Sequence, residues 1–294
     1  MNRRHFLALP IPLLARAAKL SEFRLGVTSD EIDDDLAVAA KFLKEFNLGW
    51  AEIRNIWGKY NTELPVEKIR EARKIMDEHG VKLSALATAF FRGPVPMDNT
   101  ALDREWKLLD TAFTNADILG SKTIRTFAFT YPGNQKPDSA IYPRIYELQK
   151  EAARRAKARG FRLAIETLDN SYVWSSAQAA ALLKAVPEDS LGLTWDPNNV
   201  AGIEERPFPD GYKRLDPARI FHVHLRDWKR EANGRVSWTA VGAGEFDNLG
   251  QIRALKRDGF KGTYTLETHW RSPQGKAYAT RVSLTELIKV FEQV

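Results

Sequence analysis

Four side chains able to hold a hard divalent cation stand at the ends of four successive apolar segments. They are Glu166 in Ile165-Glu166-Thr167, Asp196 in Trp195-Asp196-Pro197, His224 in Val223-His224-Leu225 and Glu267 in Leu266-Glu267-Thr268. If these segments are neighbouring strands, spaced about 4.8 Å apart, their ends can converge on one ion. Three carboxylates and one imidazole form an oxygen-rich set, which suits Mn²⁺ or Mg²⁺ and accepts Co²⁺ or Zn²⁺. An ion so held is a Lewis acid, and Glu166 and Glu267 beside it can take and return a proton as general base and acid. The chain has no cysteine, so thiolate metal sites, disulfides and a Cys nucleophile are excluded. One acidic residue at a strand end is commonly a helix cap. Four ligand types at one depth on four successive segments are harder to attribute to capping.

Strand alternation tests the set. Ile165, Leu225 and Leu266 flank the ligands and would face outward, which turns Glu166, His224 and Glu267 inward together. His222 shares the face of His224 but lies deeper, and is read as a packed histidine behind the ligand. His269 follows Glu267 and is a substrate-contact candidate as well as an ordinary loop histidine. His79 ends a helix, where partial positive charge is favourable, and is given no role. Asn198 and Asn199 offer donors to substrate hydroxyls. Trp57, Trp195 and Trp270 offer apolar faces to a sugar ring, with plain packing as the alternative. Glu52 and Arg54 share one face of the second strand, where an internal ion pair is expected. Arg125 is expected inside the barrel, as filler or substrate contact. Arg226, Lys229 and Arg230 put three positive charges near the site, able to hold an anion or simply forming a solvated loop.

The elements that must position these residues recur in a strand-then-helix order. Short β-branched and aromatic runs are expected as strands at 23–29, 50–56, 82–90, 123–130, 162–167, 192–196, 220–225 and 264–268. Between them lie amphipathic stretches. Asp30 is expected to cap a helix toward Phe46, and Pro65 to start one ending near Gly80. Asn99 is expected to cap a helix to Gly120, and Ser139 one to Gly160. Ser175–Ala185, Phe246–Asp258 and Lys276–Glu292 complete the series. The link after the sixth strand, with Pro207, Pro209 and Gly211, is the least regular. Eight such units predict a single-domain α/β fold, a (β/α)8 TIM barrel over residues 22–294. A doubly wound sheet is the runner-up, but the first turn, from Val27 to Ile32, lacks phosphate-cradling glycines.

At these residues the sequence resembles the xylose isomerase-like TIM barrel superfamily, and within it the sugar phosphate isomerase/epimerase branch. That branch includes ketose 3-epimerases, hydroxypyruvate isomerase and inosose dehydratase. The resemblance runs from Glu22 to the C-terminus and rests on the four ligand segments, with His222-Val223-His224 and Trp195-Asp196-Pro197-Asn198 the most specific. It implies that Glu166, Asp196, His224 and Glu267 bind the metal and that Arg230, six residues after His224, binds substrate. Asn199 stands where epimerases carry a substrate-contacting histidine, and Tyr172 where they carry a second glutamate. The resemblance therefore implies the barrel and its metal, not a ketose 3-epimerase in particular. The superfamily's zinc-dependent abasic-site nucleases need more than the five histidines present.

The expected function is a divalent-metal-dependent sugar isomerase or epimerase. Proton removal beside a metal-polarised carbonyl gives an enediolate, and proton return to a new carbon or face gives the product. The alternatives are a keto-sugar or inosose lyase using the same site, and a non-catalytic carbohydrate-binding barrel. The partner is a small carbohydrate, with self-association into a homo-oligomer left open.

Residues 1–17 read as an address. Arg3-Arg4, a short apolar run and Ala15-Arg16-Ala17 resemble a twin-arginine export signal, although Pro10, Pro12 and Arg16 depart from it. Export to the periplasm or outside is expected, with a cytoplasmic enzyme bearing an N-terminal arm as the alternative. Three of the six net positive charges, on Arg3, Arg4 and Arg16, fall in this segment. The basic balance is thus a poor argument for nucleic acid. No stretch approaches the roughly 20 apolar residues of a membrane span.

Overall fold

The computed structural model describes residues 20, 22–132, 135, 137–200 and 206–294. The proposed export signal and cleavage site lie outside the described residues. Eight parallel strands close into a barrel: β1 (Leu25–Thr28), β2 (Trp50–Ile53), β3 (Lys82–Ala87), β4 (Thr123–Thr126), β5 (Arg162–Glu166), β6 (Leu191–Trp195), β7 (Ile220–Leu225) and β8 (Thr263–Leu266). Each strand pairs with its sequence neighbours, and β1 closes the ring on β8. The (β/α)8 expectation is met in strand number and order.

Among the described residues, seven α-helices cover the barrel: α1 (Leu36–Glu45), α2 (Val66–Glu78), α3 (Asn99–Leu119), α4 (Tyr142–Ala158), α5 (Ser176–Ala185), α6 (Asn248–Arg257) and α7 (Lys276–Glu292). They pack apolar stripes onto outward-facing strand residues such as Ile165, Leu193, Val223, Leu225 and Leu266, all at 0% exposure. Burying each such side chain contributes about 1.5–3 kcal/mol. Among the described residues, the irregular link after β6 carries a five-residue helical turn at Pro207–Gly211 and 3-10 turns at Tyr212–Arg214 and Pro217–Arg219 where an α-helix would stand.

Three helix starts differ from the sequence expectation. The α1 cap is Asp35, whose carboxylate accepts from the Ala37 N–H, whereas Asp30 lies in a 3-10 turn at Ser29–Glu31. Asp98, not Asn99, caps α3, and Asp138 caps a 3-10 turn ahead of α4. In each case a carboxylate one or more residues away reaches free N–H groups better than the expected residue does. Gly120 ends α3 at φ +85°, a left-handed position where glycine carries no Cβ penalty.

Two short hairpins rise beyond the strands. One joins Asn55–Ile56 to Lys59–Tyr60 after β2, and the other joins Asp227–Arg230 to Val236–Thr239 after β7. Asp227 anchors the second by accepting from the N–H groups of Trp228, Gly242, Gly244 and Phe246. No helix among the described residues is long and apolar enough to cross a membrane.

Gly192 tests the closeness of β6 and β7. A Cβ there would strike the Arg219 carbonyl oxygen and the Phe221 ring. Gly192→Ala is expected to lower stability by about 1–3 kcal/mol. Urea unfolding followed by circular dichroism checks it, and an unchanged midpoint contradicts the packing described.

Candidate metal centre

The four ligand-type residues meet at the C-terminal mouth of the barrel, where such folds place their chemistry. Glu166 ends β5, Asp196 follows β6, His224 lies in β7 and Glu267 follows β8. All four are buried, and one ligand atom from each lies within 4.8 Å of the others. His224 Nδ1 faces Glu267 Oε2 at 3.2 Å, Glu166 Oε1 at 3.3 Å and Asp196 Oδ2 at 3.6 Å. Neither His224 Nδ1 nor Glu267 Oε2 has a hydrogen-bond partner among the described residues, although both atoms are buried. Buried lone pairs directed at one another are costly unless a proton or a cation lies between them. The donor set therefore fits a hard divalent ion.

The other face of His224 is fixed. Its Nε2 donates to Glu52 Oε2 at 2.7 Å, and His222 Nε2 donates to the same oxygen at 3.1 Å. His222 Nδ1 in turn meets the Thr263 hydroxyl at 2.6 Å. Burial raises the Glu52 pKa, but the His224 charge and the two histidine hydrogen bonds outweigh it and hold the carboxyl well below its usual range. Burial drives the His222 pKa down, outweighing the Glu52 hydrogen bond and charge. Burial also disfavours charge on His224. The carboxylates of Glu52, Glu267 and Glu166 nevertheless raise it well above the ordinary histidine value.

Each carboxylate of the cluster has its own arginine. Arg125 Nη1 donates to Glu166 Oε2 at 2.8 Å from inside the barrel. Arg54 Nη1 donates to Glu267 Oε1 at 2.5 Å. Arg226, fully buried, donates through Nη2 to Asp196 Oδ2 and to Asn199 Oδ1, and its guanidinium lies 4.4 Å from the Trp238 ring centre. Burial raises the Glu267 pKa, but His269 and His224 nearby bring it well below the usual carboxylate range. Asp196 is lowered too, with the Arg226 charge overcoming burial.

The expected Glu52–Arg54 ion pair does not form. β2 ends at Ile53, and Arg54 turns to Asp30 at 3.0 Å, Glu31 at 3.2 Å and Glu267. Glu52 remains below with the two histidines. His222 is buried below His224 against Glu52, and His79 bonds its own helix through the Ile75 carbonyl at 2.9 Å.

The remaining candidates separate. Asn199 Nδ2 donates to Glu166 Oε1 at 3.0 Å and to the Thr167 carbonyl at 2.9 Å, so it borders the cluster. The Asn198 N–H donates to Asp196 Oδ1 at 2.9 Å, while its buried amide has no side-chain partner among the described residues. His269 adopts a left-handed backbone at φ +49°. Its Nδ1 accepts from Arg226 Nη1, which leaves the proton on Nε2, 3.3 Å from Glu267 Oε1. Arg230 lies on the exposed hairpin, donating to the Gly234 carbonyl at 2.9 Å. Arg226, four residues earlier, is the arginine of this segment that reaches the cluster.

Trp57 has Lys68 over its ring at 5.0 Å, and Trp270 is half-buried just beyond His269. Trp195 is fully buried and donates to Gln251 on α6 at 3.0 Å, so it faces the helix layer and offers no face to a sugar. Tyr172 packs edge-on against Tyr131 and Tyr142. Sequence reading missed Trp238, Glu31 and the link from Glu52 to the histidines. Only the inward register of Glu52 was available as a signal.

The description xylose isomerase-like TIM barrel attaches to a family profile that matches residues 40–287. Comparison with curated protein sequences finds no match. Among solved structures, the zinc-bound IolI protein is 18% identical, with a TM-score of 0.74 over 92% of this chain and 98% of its own. A xylose isomerase-like TIM barrel protein from Mycobacterium smegmatis in complex with magnesium is 17% identical, with a TM-score of 0.69 over 87% and 88%. The 3-keto-D-glucoside 4-epimerase YcjR from E. coli is 16% identical, with a TM-score of 0.68 over 91% and 99%. These likenesses are in fold. With the profile covering most of its length, the chain belongs to the xylose isomerase-like TIM barrel family.

Proposed function

We propose that the protein is a divalent-metal-dependent sugar isomerase or epimerase, with Glu166, Asp196, His224 and Glu267 holding the ion. The observation that carries the reading is the convergence of His224 Nδ1 with three buried carboxylate oxygens, two of these atoms lacking a hydrogen-bond partner among the described residues. The oxygen-rich set favours Mn²⁺ or Mg²⁺, and structural neighbours hold magnesium or zinc. When bound, the ion would stabilise negative charge developing on a substrate carbonyl oxygen.

The chain's own residues supply the rest. Glu166 and Glu267 are carboxylates on opposite sides of His224, able to accept a proton from carbon and to return one. Arg125 and Arg54 hold their outer oxygens and so fix the direction of the free lone pairs. The amide of Asn198, without a hydrogen-bond partner among the described residues, is available to hydroxyl groups, while His269 Nε2 faces Glu267 at 3.3 Å and Glu31 at 3.5 Å. Arg54, Arg125 and Arg226 are each engaged by a carboxylate of the cluster. No uncompensated charge is left among them for a phosphate. The substrate class this supports is an uncharged keto-sugar, consistent with the keto-glucoside named for one structural neighbour.

A panel of free sugars and keto-sugars incubated with enzyme in D₂O and followed by NMR tests the reaction. Deuterium at carbon without change in composition is expected. Loss of water or an aglycone would make the protein a lyase, and no exchange on any member would favour a binding barrel. Chelation, or Glu267→Gln, is expected to lower turnover at least about 100-fold. Undiminished turnover in metal-free protein would sink the proposal.

Inorganic phosphate at millimolar concentration is expected to leave turnover unchanged. Competitive inhibition by phosphate would instead show an anion site.

We further propose export on the strength of the Arg3-Arg4 segment. N-terminal sequencing of mature protein should begin after Ala17, and a start at Met1 or Asn2 would contradict it.

A further inference from the structure

We infer that Glu52 is a positioning residue that dictates which nitrogen of His224 meets the ion, an inference resting on the metal-site reading above. Glu52 is 0% exposed and sits 172 residues from His224 in sequence. Unlike Glu166, Asp196 and Glu267, it does not face His224 Nδ1; it faces Nε2 instead. An ionised carboxylate can only accept. Its two short contacts therefore require a proton on Nε2 of both His224 and His222. That choice leaves His224 Nδ1 as the nitrogen open to a cation, and Nδ1 is the atom aimed at Glu166, Asp196 and Glu267.

His222 makes the arrangement self-consistent. With its proton on Nε2, its Nδ1 accepts from the Thr263 hydroxyl at 2.6 Å. The Thr28 hydroxyl, 3.4 Å away, and the Arg125 Nε, 3.6 Å away, also face the Glu52 carboxylate. Groups on three other strands, β1, β4 and β7, thus converge on this one β2 carboxyl, and Thr263 on β8 backs His222. Glu52, His222 and His224 also cluster as a set able to ligate a metal. Their 2.7–3.1 Å contacts are hydrogen-bond lengths with a proton in each, so this lower group is read as a brace for the ion site. A carboxylate behind a ligating imidazole fixes its tautomer and raises its basicity, and its loss typically costs about 10–100-fold in metal affinity.

Mn²⁺ titration of apo protein, followed by calorimetry, compares wild type with Glu52→Gln and Glu52→Asp. The expected result is one ion per chain in wild type, affinity about 10–100-fold weaker in E52Q, and partial recovery in E52D. Melting curves establish that each variant is folded. Wild-type protein labelled with ¹⁵N-histidine and loaded with Zn²⁺ gives a readout that needs no variant. His224 Nε2 should keep its proton while Nδ1 shifts on metal binding. Metal binding at Nε2, or equal affinity in wild type and E52Q, overturns the inference while leaving the ion site standing. Two ions per chain would mark the lower cluster as a second site and overturn it too. No uptake by wild type overturns the metal-site reading, and this inference with it.

Discussion

Mutual repulsion among buried carboxylates governs this mouth. Glu52, Glu166, Asp196 and Glu267 lie within a few side chains of one another, each at 4% exposure or less. Isolated ionised carboxylates in such a place would protonate or force the structure apart. Here each has an arginine or an imidazole against it. Arg125, Arg226 and Arg54 take the three ligand carboxylates, and the histidine pair takes Glu52. The remaining lone pairs meet at His224 Nδ1, where the proposed divalent cation would complete the balance. The substrate expectation follows from the same accounting, since the arginines that would bind an anion are already engaged.

The barrel makes this arrangement affordable in geometric terms. Alternation along β5, β7 and β8 sends Ile165, Val223, Leu225 and Leu266 to the helix layer and the ligands inward. The register pairs Thr265 with His224 and Thr194 with His222, which brings the ligand ends to nearly one level. Rigid strands thus position the ligands, while hairpins and loops supply the rim: Trp238 under Arg226, and His269 against both Arg226 and Glu267.

Much of this was legible in the sequence for a physical reason. Strand periodicity and helix stops are local, so eight strands and seven helices could be placed from neighbouring residues. The convergence of Glu166, Asp196, His224 and Glu267 was legible because all four stand at or near strand ends. Pairings between distant segments were not. Glu52 was visibly inward, yet nothing local shows that its partners are His222 and His224 rather than Arg54. Trp195 resembled a sugar platform by type, but its register turns it outward to Gln251. Spacing singled out Arg230, whereas the hairpin after β7 carries it to an exposed face and leaves Arg226 in the cluster. Caps were displaced by a residue or more because several carboxylates compete for the same free N–H groups.

The central claim is that the four ends hold one ion through His224 Nδ1. Its most direct test is a crystal structure of protein equilibrated with Mn²⁺, with anomalous data collected to locate manganese. The expected result is a single strong peak bonded to Glu166, Asp196, Glu267 and His224 Nδ1. A peak elsewhere, or none at saturating Mn²⁺, would contradict it.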